Sequence, residues 1–238
     1  LRGHEAIGAP HRFDVDLRSD ELDARAVEGA LLGRRATLRL HDGLGAAHPR
    51  CGVVTRVSLR GHSGDGLHAR YRVRVEASLA LLRGARRSRI FQDLSVPQVV
   101  DAVLAGHARV RRTWSLATPR APRPYCVQHQ ERDLDFITGL LAEEGIRYHA
   151  EHDEEGGDRV VFSDAASFAR PLACGPLVYR EAEATRDDRT VRRAVRDREL
   201  RVGRATLRAF DWRSPARPHS AEASARAAEA EEALEFYE

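Results

Sequence analysis

Side-chain chemistry could concentrate first at His149-Ala150-Glu151-His152, the densest group among the eleven histidines of this chain. The group does not have the His-Glu-x-x-His spacing that turns two imidazoles of one helix toward a zinc ion. On a strand, His149 and His152 point to opposite faces, so the histidines read as surface side chains. The glycine run Gly61-His62-Ser63-Gly64-Asp65-Gly66 has no lysine and no helix signal behind it. It reads as a hairpin tip able to take positive φ, not as a phosphate cradle. Asp133/Asp135 and Glu143/Glu144 offer paired carboxylates, but acids at a helix N-terminus also favour the helix dipole. No Gly-x-Ser-x-Gly elbow occurs. Cys51, Cys126 and Cys174 are too scattered, and odd in number, for a disulfide framework or a Cys-x-x-Cys site, so reduced thiols are expected. The residues therefore give no catalytic, cofactor-binding or metal site.

The elements that would position side chains start as strands. In Phe13-Asp14-Val15-Asp16-Leu17-Arg18 apolar and charged residues alternate, a period of two with one buried face. Thr37-Leu38-Arg39-Leu40 runs to a turn at Asp42-Gly43. Gly52 to Leu59, the glycine run, and Tyr71 to Glu76 read as strand, turn and strand, a hairpin. Successive hairpins with one apolar face must close over a core, which predicts a small barrel or sandwich.

The period then changes. Ser95 with Gln98 forms a capping box, Pro97 fits a first helical turn, and Val96, Val99, Val100, Val103 and Leu104 recur at helical spacing up to Gly106. Pro119, Pro122 and Pro124 break any helix through 118–124. A second helix is predicted from Asp133 to Glu144, with Leu134, Ile137 and Leu141 on one face and Gly145 after its end. Alternation returns at Ile146 to Glu151, then a turn at Glu155-Gly156-Gly157-Asp158 and a return strand Val160 to Phe162. Farther on, Pro176 to Tyr179, Leu200 to Val202 and Thr206 to Trp212 read as short strands around the charged stretch 180–199. Residues 220–235, rich in Ala and Glu, read as an exposed helix or linker.

Length and composition agree with a folded chain: 238 residues, 42% hydrophobic and 32% charged, make one large or two small domains. No apolar run approaches the roughly 20 residues of a membrane span, and no signal-peptide pattern opens the sequence. Neither a membrane protein nor a secretory precursor is expected. The net charge of +3 comes from arginine alone, because lysine, asparagine and methionine are absent. That bias fits a GC-rich bacterial genome better than selection for nucleic-acid contacts, since the arginines are spread along the chain. The abrupt start at Leu1 suggests a piece of a longer protein.

Six blocks, in order, carry a resemblance. They are Phe13-Asp14-Val15-Asp16-Leu17, Leu32 to Leu40, Gly52-Val53-Val54-Thr55-Arg56-Val57, Arg89 to Pro97, Gln130-Glu131-Arg132-Asp133-Leu134-Asp135-Phe136, and Leu140 to Tyr148. Together they resemble the N-terminal, phage-hub-like region of the VgrG family, the spike-tip proteins of bacterial type VI secretion systems. Arg89-Ile90-Phe91-Gln92 and Glu143-Glu144-Gly145-Ile146-Arg147-Tyr148 are the most specific. The match runs from about residue 3 to about residue 212 and weakens after residue 180.

The resemblance implies a β-rich α+β fold, phage tail-hub-like, with two small β-barrel-like domains and a helical insertion between them. The implied division is a first barrel at 1–90, a helical connecting region at 91–145, a second barrel at 146–215, and at 216–238 a linker toward a missing OB-fold and needle. It also implies a homotrimer whose pseudo-six-fold surface docks on the Hcp tube hexamer, with effector or adaptor proteins and a C-terminal needle as further partners. Assembly would be cytoplasmic, followed by secretion through the apparatus without a signal peptide. No catalytic activity, cofactor, nucleic acid or stable membrane insertion is implied. Arg89, Phe91, Gln92, Gln130, Glu131, Asp133, Phe136, Glu144, Gly145 and Tyr148 take structural roles, with Phe91, Phe136 and Tyr148 as core and hinge residues. Where the family has Glu-Ser-Asp-Leu-Asp-Phe, Arg132 replaces the serine; if that serine caps the helix, Asp133 must do so here. Exposed arginines such as Arg72 and Arg74 are expected to make inter-subunit contacts. The alternatives are a hub of a related phage tail or extracellular contractile system, an arginine-rich nucleic-acid-binding barrel, and, with least support, a hydrolase.

Overall fold

The computed structural model describes residues 1–41, 47–64, 66–165, 178–179, 190–191, 193–197, 200, 202–210, 214–216, 219–224 and 235–237. The alternation read at the N-terminal end becomes one antiparallel sheet. β1 (Arg2–Ala6), β2 (Ala9–Ser19), β3 (Arg35–His41), β4 (Ala47–His62) and β5 (Ala69–Glu76) lie in the order β1-β2-β5-β4-β3. β4 and β5 are the expected hairpin, and Gly61 and Gly66 at its tip take φ of 131° and 70°, backbone that favours glycine. Asp65 lies outside the described residues, as does the Asp42-Gly43 turn. Bulges in β4 between Val54 and Arg56 and between Leu59 and Gly61 add local twist. One face buries Phe13, Val54, Val73 and Val75. Helix α1 (Ala24–Leu31) lies between β2 and β3 in the chain and has no fully buried residue; Ala24, Val27, Ala30 and Leu31 make an apolar stripe, with half-buried Leu31 packed against this core, but eight residues are too few for the helical period to stand out in the sequence.

The second core is built on helices. A 3₁₀ segment (Ser78–Gly84) leads to β6 (Arg86–Phe91), then α2 (Val96–Ala105), β7 (Arg111–Ser115), β8 (Cys126–Arg132) and α3 (Asp133–Glu143). α2 starts where predicted, Gln98 Oε1 accepting from the Ser95 N–H at 2.8 Å. Its apolar face, Val96, Val99, Val100, Val103 and Leu104, packs with Leu134, Ile137, Leu140 and Leu141 of α3. β9 (Arg147–Asp153) and β10 (Gly157–Ser163) form the expected hairpin, and β7 adds in parallel to β10, giving the order β7-β10-β9. Fully buried Phe162 carries Trp114 stacked at 4.4 Å. The structure thus has the β-rich α+β class, a five-stranded bulged sheet and a second sheet with helices inserted between them in the chain.

The chain divides into two units, residues 1–178 with 184–190, and residues 179–183 with 191–238. β11 (Val178–Tyr179) and β12 (Thr190–Val191) are two-residue strands. In the second unit, β13 (Arg204–Ala209) pairs with β14 (His219–Ser224) and β15 (Glu235–Tyr237) in the order β14-β13-β15. The helix-or-linker reading of 220–235 is therefore corrected at its start: residues 219–224 are a strand, because cross-strand pairing with β13 overrides local Ala/Glu helix propensity. Leu200 and Val202 are not in a strand. Cys174, Pro176, Trp212, residues 225–234 and most of 180–199 lie outside the described residues.

Candidate functional site

β6 and β8 form an antiparallel ribbon with a bulge between Arg87 and Arg89. At this bulge Gln130 takes φ 47°, uncommon for a residue with a Cβ, and its N–H donates to Ser88 Oγ at 3.1 Å. The bulge re-aims the neighbouring side chains, and Gln128 is fully buried. Asp133, first residue of α3, has 0% side-chain exposure. Its carboxylate accepts from Arg89 Nη2 and from Gln128 Nε2 at 2.9 Å, and bonds His107 Nε2 at 2.9 Å. Gln128 completes the circuit: its Oε1 accepts from Arg89 Nε at 2.8 Å, and its Nε2 also donates to the Glu131 carbonyl at 3.1 Å. Burial would push the Asp133 pKa up, but the bonds from His107, Gln128 and Arg89 outweigh it and hold the carboxyl below its ordinary value.

This corrects the capping expectation. Arg132 is the N-cap and makes no side-chain cap bond. Asp133 lies inside the first turn, so its side chain points sideways into the ribbon, while its N–H bonds the Ala85 carbonyl at 2.9 Å. A carboxylate sealed from water and saturated by donors cannot exchange a proton with a substrate. It instead ties together β6, β8, α3 and His107 in the turn after α2.

Other motif residues surround this knot. Phe91 stacks on Phe136 at 5.8 Å, and the Arg89 guanidinium sits 5.9 Å from the Phe91 ring. Gln92 is exposed, just before Asp93 with φ 55°. At the far end of α3, Arg123 bonds Glu143 at 2.7 Å and Glu144 at 2.8 Å, and Gly145 leaves the helix at φ 67°. Tyr148 is buried beside Phe162, and burial pushes its phenol up to about 12. The structure therefore brings Arg89, Phe91, Gln130, Glu131, Asp133 and Phe136 together, puts Tyr148 in the same apolar core as Phe136, and places Gln92, Glu144 and Gly145 elsewhere.

A second polar cluster escaped sequence reasoning. His11 Nε2 bonds the Cys51 carbonyl at 2.8 Å, and the Cys51 N–H donates to His152 Nδ1 at 3.1 Å. One peptide residue is thus gripped by two imidazoles whose centroids are 4.7 Å apart. His152 Nε2 reaches Glu5 at 3.0 Å, and Arg50 takes the other Glu5 oxygen at 2.9 Å. The bonds from His152, against burial and with help from Arg50, lower the Glu5 pKa to about 2. Burial lowers that of His11. The surface reading of His152 is corrected, its side chain being 7% exposed. Nothing local could have revealed this, since His11 and His152 lie 40 and 101 residues from Cys51. Among the described residues no three His, Cys, Asp or Glu side chains are arranged to hold a metal. Nor is any described helix long and apolar enough to cross a membrane.

The outer face of the first sheet carries a charge ladder. Arg74 pairs with Asp14 at 2.8 Å and Arg72 with Asp16 at 2.7 Å, both directly across β2 and β5. The two arginines expected to make inter-subunit contacts are thus engaged within the chain.

The phage tail baseplate hub (GPD) family model matches residues 4–238. The chain is 36% identical over 220 residues to the type VI secretion system spike protein VgrG5 of Pseudomonas aeruginosa, covering 91% of this chain and 27% of that protein. It is 34% identical over 218 residues to VgrG4b of the same organism, covering 90% and 26%. The chain therefore spans about a quarter of the length of these relatives. Among solved structures it resembles the E. coli c3393 protein, with TM-score 0.63 and 27% identity over 72% of this chain and 48% of that one. That protein is described as a type VI secretion component similar to the T4 phage tail proteins gp27 and gp5. The tail protein of Neisseria meningitidis MC58 shares the fold, with TM-score 0.59 at 12% identity over 96% of this chain and 62% of that one.

Proposed function

Because this chain belongs to the phage tail baseplate hub (GPD) family, we propose that it is the hub portion of a type VI secretion spike. Three copies associate as a ring, and two barrel-like units per copy offer six similar positions to the Hcp tube hexamer. The rest of the spike, an OB-fold and needle, follows C-terminally, and effector or adaptor proteins travel on it. The protein assembles in the cytoplasm and leaves through the apparatus.

The proposed division is a first barrel at 1–90, a helical connection at 91–145, a second barrel at 146–215 and a lead toward the OB-fold at 216–238. Arg89, Gln130, Glu131 and Asp133 lock the connection, Phe91, Phe136 and Tyr148 fill its core, and Glu144 with Gly145 ends α3. Gln92 is assigned to the same motif. The role is mechanical, not enzymatic. The observation that carries this reading is the family match over 4–238 together with 36% identity to a spike protein over 91% of the chain. A ring under load needs rigid joints, and the sealed Asp133 knot is one.

Absolute mass by light scattering of the full-length spike tests the proposal, with three copies expected. A monomeric full-length protein, or one that leaves Hcp rings unbound in co-sedimentation, overturns it.

A further inference from the structure

The charge ladder on the first sheet stops being balanced at its last rung. Asp14–Arg74 and Asp16–Arg72 are neutral pairs, but the next directly opposed pair is Arg18–Arg70. Arg60, the extra residue of the β4 bulge, stands on the other side of Arg70. All three are exposed, and among the described residues none has a carboxylate within ion-pair distance. Asp16, two residues before Arg18, is held by both Nε and Nη2 of Arg72, at 2.7 and 3.1 Å, and Asp20, two residues after it, bonds His68 Nδ1 at 2.6 Å. Like charges directly opposed across strands destabilise a sheet. A cleft of about 640 Å³ lies over this rung, lined by Arg18, Arg60, Arg70, Arg72, Asp16 and Tyr71 among others.

We propose that the Arg18–Arg70–Arg60 row is a docking surface for an acidic helix of a partner protein. Adjacent strands are about 4.8 Å apart, so the arginine stems stand in a row at about that interval. Carboxylates at i and i+4 of a helix are about 5–6 Å apart and can meet neighbouring guanidiniums, each able to bond a carboxylate by two N–H groups. A nucleic-acid backbone fits less well, because the unpaired charge is confined to one short rung bordered by the Asp16–Arg72 and Asp20–His68 pairs, which matches two or three carboxylates of one helix face but not a continuous line of phosphates. The inference rests on the ladder and stands apart from the ring assembly.

The test uses the 238-residue chain and a fluorescent alanine-based helical peptide with glutamates at i and i+4, against the same peptide with glutamines. Anisotropy should show binding of the glutamate peptide that weakens as salt rises, and none of the glutamine peptide. Arg70→Glu should weaken it about tenfold or more and leave the melting temperature unchanged or raised, since the new acid sits between two arginines. Arg70→Gln should weaken it less, and Arg25→Glu on exposed α1 should leave it unchanged. Equal binding of the two peptides overturns the proposal, as does unaltered binding by both Arg70 variants. A loss of folding in Arg70→Gln overturns it too, since that assigns the row a structural role. Stronger competition by a short DNA duplex than by unlabelled glutamate peptide would make the surface a nucleic-acid site.

Discussion

Replacing Asp133 by alanine probes the knot directly. The substitution deletes one carboxylate and leaves Arg89 Nη2, Gln128 Nε2 and His107 Nε2 without their shared acceptor. Breaking a buried ion pair from one side costs about 3–5 kcal/mol. Two features set the value at the lower end. Arg89 is 24% exposed and can recover water, and Gln128 keeps the Glu131 carbonyl. About 3 kcal/mol is therefore expected, a drop of about 6–12 °C in melting temperature for a unit of this size. Asp133→Asn keeps the shape and one acceptor but loses the charge, and should cost roughly 2 kcal/mol. Asp135, exposed in the same helical turn, is the control: alanine there removes only a dipole interaction of about 0.3–1 kcal/mol. Urea denaturation monitored by Trp114 fluorescence measures all three. Equal costs for Asp133→Ala and Asp135→Ala would refute the reasoning, because the carboxylate would then bear no more than an ordinary surface acid.

The His11–Cys51–His152 grip makes stability rise with pH. His11 has a folded pKa below its unfolded 6.5, so its contribution is complete above 6.5 and is lost as pH falls through the folded value; Glu5, at about 2 against 4.5, adds a second loss between those two values. Thermal melts from pH 8 to pH 3 should show this decline, and His11→Gln should flatten the upper part. Gly52→Ala should be far worse than Gly145→Ala. A Cβ at Gly52 meets the Glu76 carbonyl oxygen at 2.4 Å, whereas Gly145 has open space and only its φ of 67° to oppose alanine, costing about 1 kcal/mol; chemical denaturation compares the two. Ile137→Ala, in the fully buried face of α3, should cost about 2–5 kcal/mol in the same assay.

Local pattern in the chain determined the elements whose stability is local. Alternation placed β2, β4, β5, β9 and β10, the Ser95/Gln98 pair started α2, and Gly145 ended α3, because side-chain periodicity and caps act within a few residues. The family blocks marked Arg89, Asp133 and Phe136 as structural. The tertiary structure alone decided what they do. Asp133 is a buried acceptor and not a cap because β6 and β8, which begin 40 residues apart in the chain, meet beside α3. β6, mostly exposed and arginine-rich, and β7, paired in parallel to a distant strand, have no periodic signature to read. His11, Cys51 and His152 come from three strands, and Arg18, Arg60 and Arg70 share one rung only through register and a bulge. Such groupings depend on which strands pair and in what alignment, and that follows from burying the whole apolar surface at once, not from any short stretch of sequence.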